Sequence, residues 1–291
     1  LMGIKAFRVS IAWSRIFPNG ESTGRPNIHG INFYKNIITY LIQKKIKPVI
    51  CLMHWDMPSG IIQKLISYNN TKSELVGLAY TNKDKNKDGK KLDDIFMDSW
   101  KYYVSNVYTE ILQPNITKIL YVSSINEIST IASNAYMMGQ MAPGISVDRS
   151  QTDFGNWNSS YWALYNLIRM HAVSYHIYKD IFSKIKNAPP FTADNTILGL
   201  PLKIDPNGGG DRAAYKYYNR SIDWRVKIVF DPIIHGKWSK EMEKFFGLAL
   251  TVNKWRGSFP PTEFEKGEFD PKNTCDIIAF HYYNSSVVKA S

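Results

Sequence analysis

Apolar and polar positions fall into blocks along this chain, and the blocks differ in period. A-F-R-V-S-I-A-W (6–13) is a short, mostly apolar run rich in β-formers, as expected for a buried strand. After a polar loop, N-F-Y-K-N-I-I-T-Y-L-I-Q-K-K (32–45) carries its apolar residues at helical spacing. K-P-V-I-C-L-M-H-W-D (47–56) is nearly all apolar until His54. The 80s read as a loop, and L-D-D-I-F-M-D-S-W-K-Y-Y-V-S-N-V-Y (92–108) as a helix. K-I-L-Y-V-S-S-I-N-E (118–127) repeats the strand pattern, and a long helix covers about 160–185. T-I-L-G-L-P-L-K-I (196–204) reads as a strand, a helix follows near 211–229, and D-I-I-A-F-H-Y-Y (276–283) closes the series.

Five apolar strands alternating with helices predict a parallel sheet covered by helices. Doubly wound folds and barrels both fit, and two features favour the barrel. No glycine-rich phosphate loop follows the first strand. Several strands also carry chemistry: Arg8 within the first, His54-Trp55-Asp56 after the second, Asn126-Glu127 after the third, and His281 and Tyr283 on the last. In a (β/α)₈ barrel the C-terminal ends of the strands converge on the active site. The predicted fold is therefore an α/β (β/α)₈ TIM barrel. Since closure takes eight strands, residues 1–291 read as a partial single barrel domain, short by about three strands.

Composition narrows this only at the margins. Hydrophobic residues make up 44% and charged residues 21% of the 291, which suits a globular chain with a sizeable core. No apolar run reaches the ~18 residues of a membrane span, and the first residues lack the pattern of a signal peptide. The formal charge of +11 comes from dispersed lysines, and the dense run N-K-D-K-N-K-D-G-K-K contains aspartates. A solvated surface is the expectation, with no nucleic-acid partner and no membrane. Cys51 and Cys275 lie in apolar runs and read as buried free thiols. Five N-x-S/T sequons, at Asn69, Asn115, Asn158, Asn219 and Asn284, are compatible with a secreted or lumenal glycoprotein, although about three would arise by chance.

Glu127 is the foremost candidate for chemistry. Glycoside hydrolysis needs a proton delivered to the leaving oxygen and a second carboxylate on the other side of the bond. A glutamic acid partly withdrawn from water at a barrel mouth can keep its proton. Asn126 would bond a hydroxyl beside the reacting carbon. His54 offers a ring donor and Trp55 a flat apolar face, the pairing that sugars require. Asp56 would serve as a turn cap. Arg8, inside an apolar strand, needs an acceptor; it either orients a catalytic carboxylate or forms a structural ion pair. Tyr283 either donates its phenol to a carboxylate or belongs to the core. D-K-N-K-D-G-K-K-L-D-D-I (84–95) begins like a calcium loop, but Ile95 stands where a bidentate Glu is required. His171 and His176, five apart, do not share a helical face for a metal. Neither metal nor cofactor is expected.

Together these segments resemble glycoside hydrolase family 1, the β-glucosidase family. F-R-V-S-I-A-W-S-R-I-F-P-N-G (7–20) is similar to the family's F-R-F-S-I-S-W-S-R-I-x-P-x-G. P-V-I-C-L-M-H-W-D-M-P (48–58) is similar to P-x-V-T-L-x-H-W-D-L-P, and I-N-E-I (125–128) stands where the family has x-N-E-P. A-Y-M-M-G-Q-M-A-P-G (135–144) and D-P-I-I-H-G-K-W (231–238) follow in family order.

The resemblance implies a retaining β-glycosidase acting on O-linked β-D-glycosides by double displacement. It implies Glu127 as general acid/base, Asn126 at the sugar 2-hydroxyl, His54 and Trp55 in the sugar subsite, and Arg8 and Tyr283 beside the nucleophile. His281, in place of the family's Asn in N-x-Y, would bind substrate. Glu127 rather than Gln argues against the plant thioglucosidase type, and H-W-D favours unphosphorylated sugars. The expected partners are a β-glycoside or oligosaccharide and, in a homodimer, a second copy of the chain. The family's nucleophile motif T/V-x-E-N-G does not occur in these residues and would follow Ser291; the first strand would precede residue 1. Ile128 replaces the usual Pro. The alternative is a catalytically degenerate binding protein on the same scaffold, as in the klotho proteins.

Overall fold

The computed structural model describes residues 3–68, 77–80, 85–86, 88–145, 157–197, 200–204, 226–244, 259–282 and 285–288. Its strands are β1 (Ala6–Ser10), β2 (Lys47–Met53), β3 (Tyr121–Ile125), β4 (Phe191–Ile197), β5 (Leu200–Ile204), β6 (Ile277–Tyr282) and β7 (Ser285–Val288). Its helices are α1 (Trp13–Ile16), α2 (Ile28–Gln43), α3 (Ser59–Tyr68), α4 (Leu92–Asn106), α5 (Ile128–Tyr136), α6 (Trp157–Phe182) and α7 (Ile228–His235).

Five strands form one sheet in the order β1-β2-β3-β4-β6, and every pair is parallel. The register sets Arg8 opposite Val49 and Ser10 opposite Cys51, then Cys51 opposite Ser123 and Ser123 opposite Thr192. Because side chains alternate along a strand, Arg8, Cys51, Ser123, Thr192 and Asp194 share one face. The opposite face carries Val9, Ile50, Leu52 and Val122, which enter the apolar core under the helices.

The helices form for local reasons. The Asn27 side chain accepts from the His29 N–H at 3.2 Å and caps α2, filling one of the orphan donors of a helix start. Ile31, Tyr34, Ile38 and Leu41 then line its buried stripe. α6 is buried at every position from 159 to 174 and packs on α4, α5 and β3. A helix apolar on most sides is a core helix. Its buried Arg169 is neutralised by Asp93 of α4 at 2.9 Å, and also donates to Asn166 at 3.0 Å. No helix among the described residues is long and apolar enough to cross a membrane.

One element differs from the sequence reading. The expected fourth strand, 196–204, is not a strand of the main sheet beyond Ile197. The sheet uses Phe191–Ile197, while Leu200–Ile204 pairs with β7 in a separate two-stranded sheet. β4 reads F-T-A-D-N-T-I, and its polar residues hide it from a search for apolar runs. Thr192 and Asp194 are polar because their face lines a polar interior, and Asn195, on the other face, is polar because it bonds the start of α5. The helix expected near 211–229 lies largely outside the described residues; α7 begins at Ile228. In the 84–95 loop, Asn86 Oδ1 accepts from the Asp88 and Lys90 N–H groups, which makes a local turn of that side chain.

Candidate active site

The sheet's concave face gathers side chains from four strands. Arg8 of β1 reaches across: its Nη2 donates to Asp194 Oδ2 of β4 at 2.8 Å, and its Nη1 donates to Asn126 Oδ1 at 2.7 Å. Asp194, 1% exposed, also accepts from Ser123 Oγ at 2.6 Å and from Thr192 Oγ1 at 3.0 Å. A buried carboxylate persists when ion pairing and hydrogen bonds replace its water. These donors supply both.

Glu127 follows β3 and is 3% exposed. Its Oε1 lies 3.0 Å from His281 Nδ1 of β6, and its Oε2 accepts from Thr130 Oγ1 at 3.1 Å. The other ring nitrogen, His281 Nε2, is 3.8 Å from Asp194 Oδ2. Glu127 occupies the N-cap position of α5 with left-handed backbone, φ 50° and ψ 66°. A following proline would push its predecessor toward extended backbone; Ile128 imposes no such restriction. Glu127 does not use its carboxylate as a cap. Asn195 of the neighbouring strand β4 does that work, its Oδ1 accepting from Ser129 N at 3.1 Å and Ser129 Oγ at 2.7 Å. The carboxylate of Glu127 is thereby left to face His281.

The second strand end is bound to the third. Asn126 N donates to Met53 O at 2.8 Å, and Trp55 Nε1 donates to Asn126 O at 2.9 Å. Trp55 has φ +74°, so the chain turns sharply as β2 ends. Non-glycine residues in this region cluster where function demands a particular geometry, and two of the five among the described residues, Trp55 and Glu127, are in this site. His54 packs edge-on against Trp55, with centroids 4.9 Å apart, and its Nδ1 lies 3.2 Å from Ser10 Oγ. Partial removal from water, then the positive charge of Arg8, lowers the His54 pKa below its ordinary value. Asp56, expected as a turn cap, is largely withdrawn from water, which raises its carboxyl pKa; backbone N–H groups including those of Trp13 and Ser14 oppose that rise.

The structure thus brings Arg8, His54, Trp55, Asn126, Glu127 and His281 to one place. Tyr283 lies outside the described residues. His171 and His176 stand apart, as helix residues of α6. His171 Nδ1 meets Ser124 Oγ at 2.7 Å, and burial lowers its pKa to about 4. His176 Nε2 lies 3.1 Å from the Asp270 carbonyl. Cys51 is buried and Cys275 half-buried, both as free thiols. Among the described residues no cluster of three or more His, Cys, Asp or Glu is arranged to hold a metal. Sequence reasoning missed Asp194, Ser123, Thr192 and Asn195. The available signal was an aspartate among β-formers in F-T-A-D-N-T-I.

The family model for glycosyl hydrolase family 1 matches residues 1–75 and 82–291. The chain belongs to glycosyl hydrolase family 1. It is 26% identical to β-glucosidase 16 of Arabidopsis thaliana, covering 99% of this chain and 48% of that protein. It is also 26% identical to the human cytosolic β-glucosidase, over 99% of this chain and 53% of the relative. The chain spans about half the length of the curated relatives it matches. Among solved structures, a rice β-glucosidase superposes with a TM-score of 0.73 at 22% identity, covering 98% of this chain and 51% of that one. An aphid myrosinase gives 0.73 at 21% identity, covering 97% and 52%. At that identity the likeness is one of fold. The fold is the expected TIM barrel, and the five parallel strands are its members in this chain.

Proposed function

We propose that these residues form the acid/base side of a retaining β-glycosidase that hydrolyses O-linked β-D-glycosides by double displacement. Glu127 is the general acid/base, and the carboxylate nucleophile lies outside the 291 residues. The observation that carries this reading is the position of Glu127: at the C-terminal end of β3, 3% exposed, beside Asn126 and facing His281 of β6. A carboxyl group at that place is positioned to deliver a proton to a leaving oxygen, an effect typically worth ~10²–10⁴ in rate. The same group, once ionised, would draw a proton from the water that releases the sugar from the enzyme. Asn126, fixed by Arg8, bonds the 2-hydroxyl; His54 and the face of Trp55 receive the rest of the sugar. Asp194 shares the interior, but Arg8, Ser123 and Thr192 donate to it, which occupies three of its about four acceptor positions and disfavours it as a nucleophile.

The substrate class is an unphosphorylated β-glucoside-like sugar, and the expected compartment is secretory or lumenal. The test is hydrolysis of 4-nitrophenyl β-D-glucoside by the full-length protein and its Glu127→Ala variant. A loss of ~10² or more is expected; equal rates would refute the role of Glu127.

A second reading is a sugar-binding protein without turnover. It is favoured by one observation: both Glu127 oxygens are engaged by protein side chains, His281 and Thr130. Calorimetric binding of cellobiose by a full-length protein that releases no glucose would select it.

A further inference from the structure

Asp194 is more deeply buried than Glu127 and takes no direct part in the proposed chemistry. Its contacts nevertheless lead to the reacting pair along two separate routes. On one side, Arg8 bridges Asp194 and the Asn126 side chain, with donor–acceptor distances of 2.8 and 2.7 Å. On the other, the His281 ring stands between Asp194 Oδ2, 3.8 Å from Nε2, and Glu127 Oε1, 3.0 Å from Nδ1. Asn126 and Glu127 are consecutive, so the two routes close a ring of groups from β1, β3, β4 and β6.

We propose that Asp194 is a positioning residue for the Asn126–Glu127 pair, holding Asn126 through Arg8 and setting the proton arrangement of the His281 ring that faces Glu127. This rests on the reading of Glu127 as the acid/base. Which nitrogen of a histidine carries the proton is set by what the other nitrogen meets. At 3.8 Å the Asp194 contact is too long for a hydrogen bond, but a bare Nε2 lone pair aimed at a buried carboxylate is repelled, whereas an Nε2–H is attracted. While Glu127 carries its proton, as the acid must before the glycosidic bond breaks, the ring proton therefore stays on Nε2, and Nδ1 is kept for Glu127. Its lone pair accepts from the protonated acid. Asp194 itself is held still by Ser123 and Thr192 as well as Arg8, so it works as a fixed reference.

The experiment is ¹⁵N spectroscopy of histidine-labelled full-length protein, with the His281 signals assigned by their absence in His281→Asn. In the wild type, His281 Nε2 is expected to be protonated. In Asp194→Asn its signal is expected to move toward that of an unprotonated nitrogen. Alongside, kcat on an aryl β-glucoside should fall by about 10²-fold, with KM much less affected. A bare Nε2 in the wild type overturns the proposal, as do ring signals unchanged in Asp194→Asn. If Asp194→Asn fails to fold, the wild-type ring alone decides. If the wild type hydrolyses no glucoside, the acid/base reading falls, while the ring signals still report on Asp194 and His281.

Discussion

Arg8 and Asp194 meet at 2.8 Å although two strands, β2 and β3, separate theirs in the sheet. Adjacent strands lie almost 5 Å apart, so a flat sheet would hold these side chains well out of reach even with Arg extended. The contact exists because the sheet curls about its polar face, which turns a row of strand ends into an enclosure.

That pair should also be a stability determinant. Asp194 is 1% exposed and Arg8 25%. Arg8→Ala leaves the carboxylate buried without its cation, and removal of one partner from a buried pair costs on the order of 3 kcal/mol. Arg8→Lys should cost less in charge but lose one of the two bonds to Asp194 and Asn126, because a single ammonium lacks the planar fork. Urea denaturation should rank wild type above Arg8→Lys above Arg8→Ala; a neutral Arg8→Ala would contradict the pairing.

Acid should weaken the fold through His171. Its pKa in the folded protein is lowered to about 4 from 6.5, so between those values the unfolded chain takes up a proton that the folded one refuses. Stability from this group is complete above about pH 6.5 and declines as pH falls toward 4, by up to about 3 kcal/mol. In His171→Gln the slope of Tm against pH over that window should be shallower than in the wild type. Parallel slopes would show that His171 titrates normally.

Asp93 and Arg169 join α4 to α6 and are 6% and 3% exposed at their side chains. Burial raises the Asp93 pKa even though Arg169 opposes the rise, so the pair is held at a cost. Arg169→Met alone should destabilise by about 3–5 kcal/mol, whereas Arg169→Met combined with Asp93→Leu should recover most of it, since an apolar pair needs no desolvation. Denaturant midpoints of the two singles and the double form the cycle that tests this.

Asn195 caps α5 from another strand. Asn195→Ala should cost about 1 kcal/mol, as loss of a helix cap does. If the cap also spares Glu127 for chemistry, turnover should fall more steeply than stability predicts; comparison of kcat with Tm across Asn195→Ala and Asn195→Asp is the measurement.

Much of the site could be read in order along the chain. Strand ends at His54-Trp55 and Asn126-Glu127 are marked by polar residues that interrupt apolar runs, and an arginine within a strand announces that an acceptor exists. The acceptor itself was not legible. Asp194 sits in F-T-A-D-N-T-I, whose polarity made the neighbouring 196–204 look like the better strand. Nothing local distinguishes an aspartate facing a barrel interior from one facing water. The contact of His281 with Glu127 spans 154 residues and leaves no trace in either segment.

By itself the sequence determined the family and the parallel α/β architecture, and it named candidates for the chemistry, because period, turn and motif are written within a few residues of one another. Tertiary structure alone decided the pairings. Arg8 has Asp194 and Asn126, His281 has Glu127, and Asn195 caps the helix that Glu127 begins. These are consequences of sheet curl and register, which bring side chains together according to their strand position and height above the sheet, with no regard to their separation along the chain.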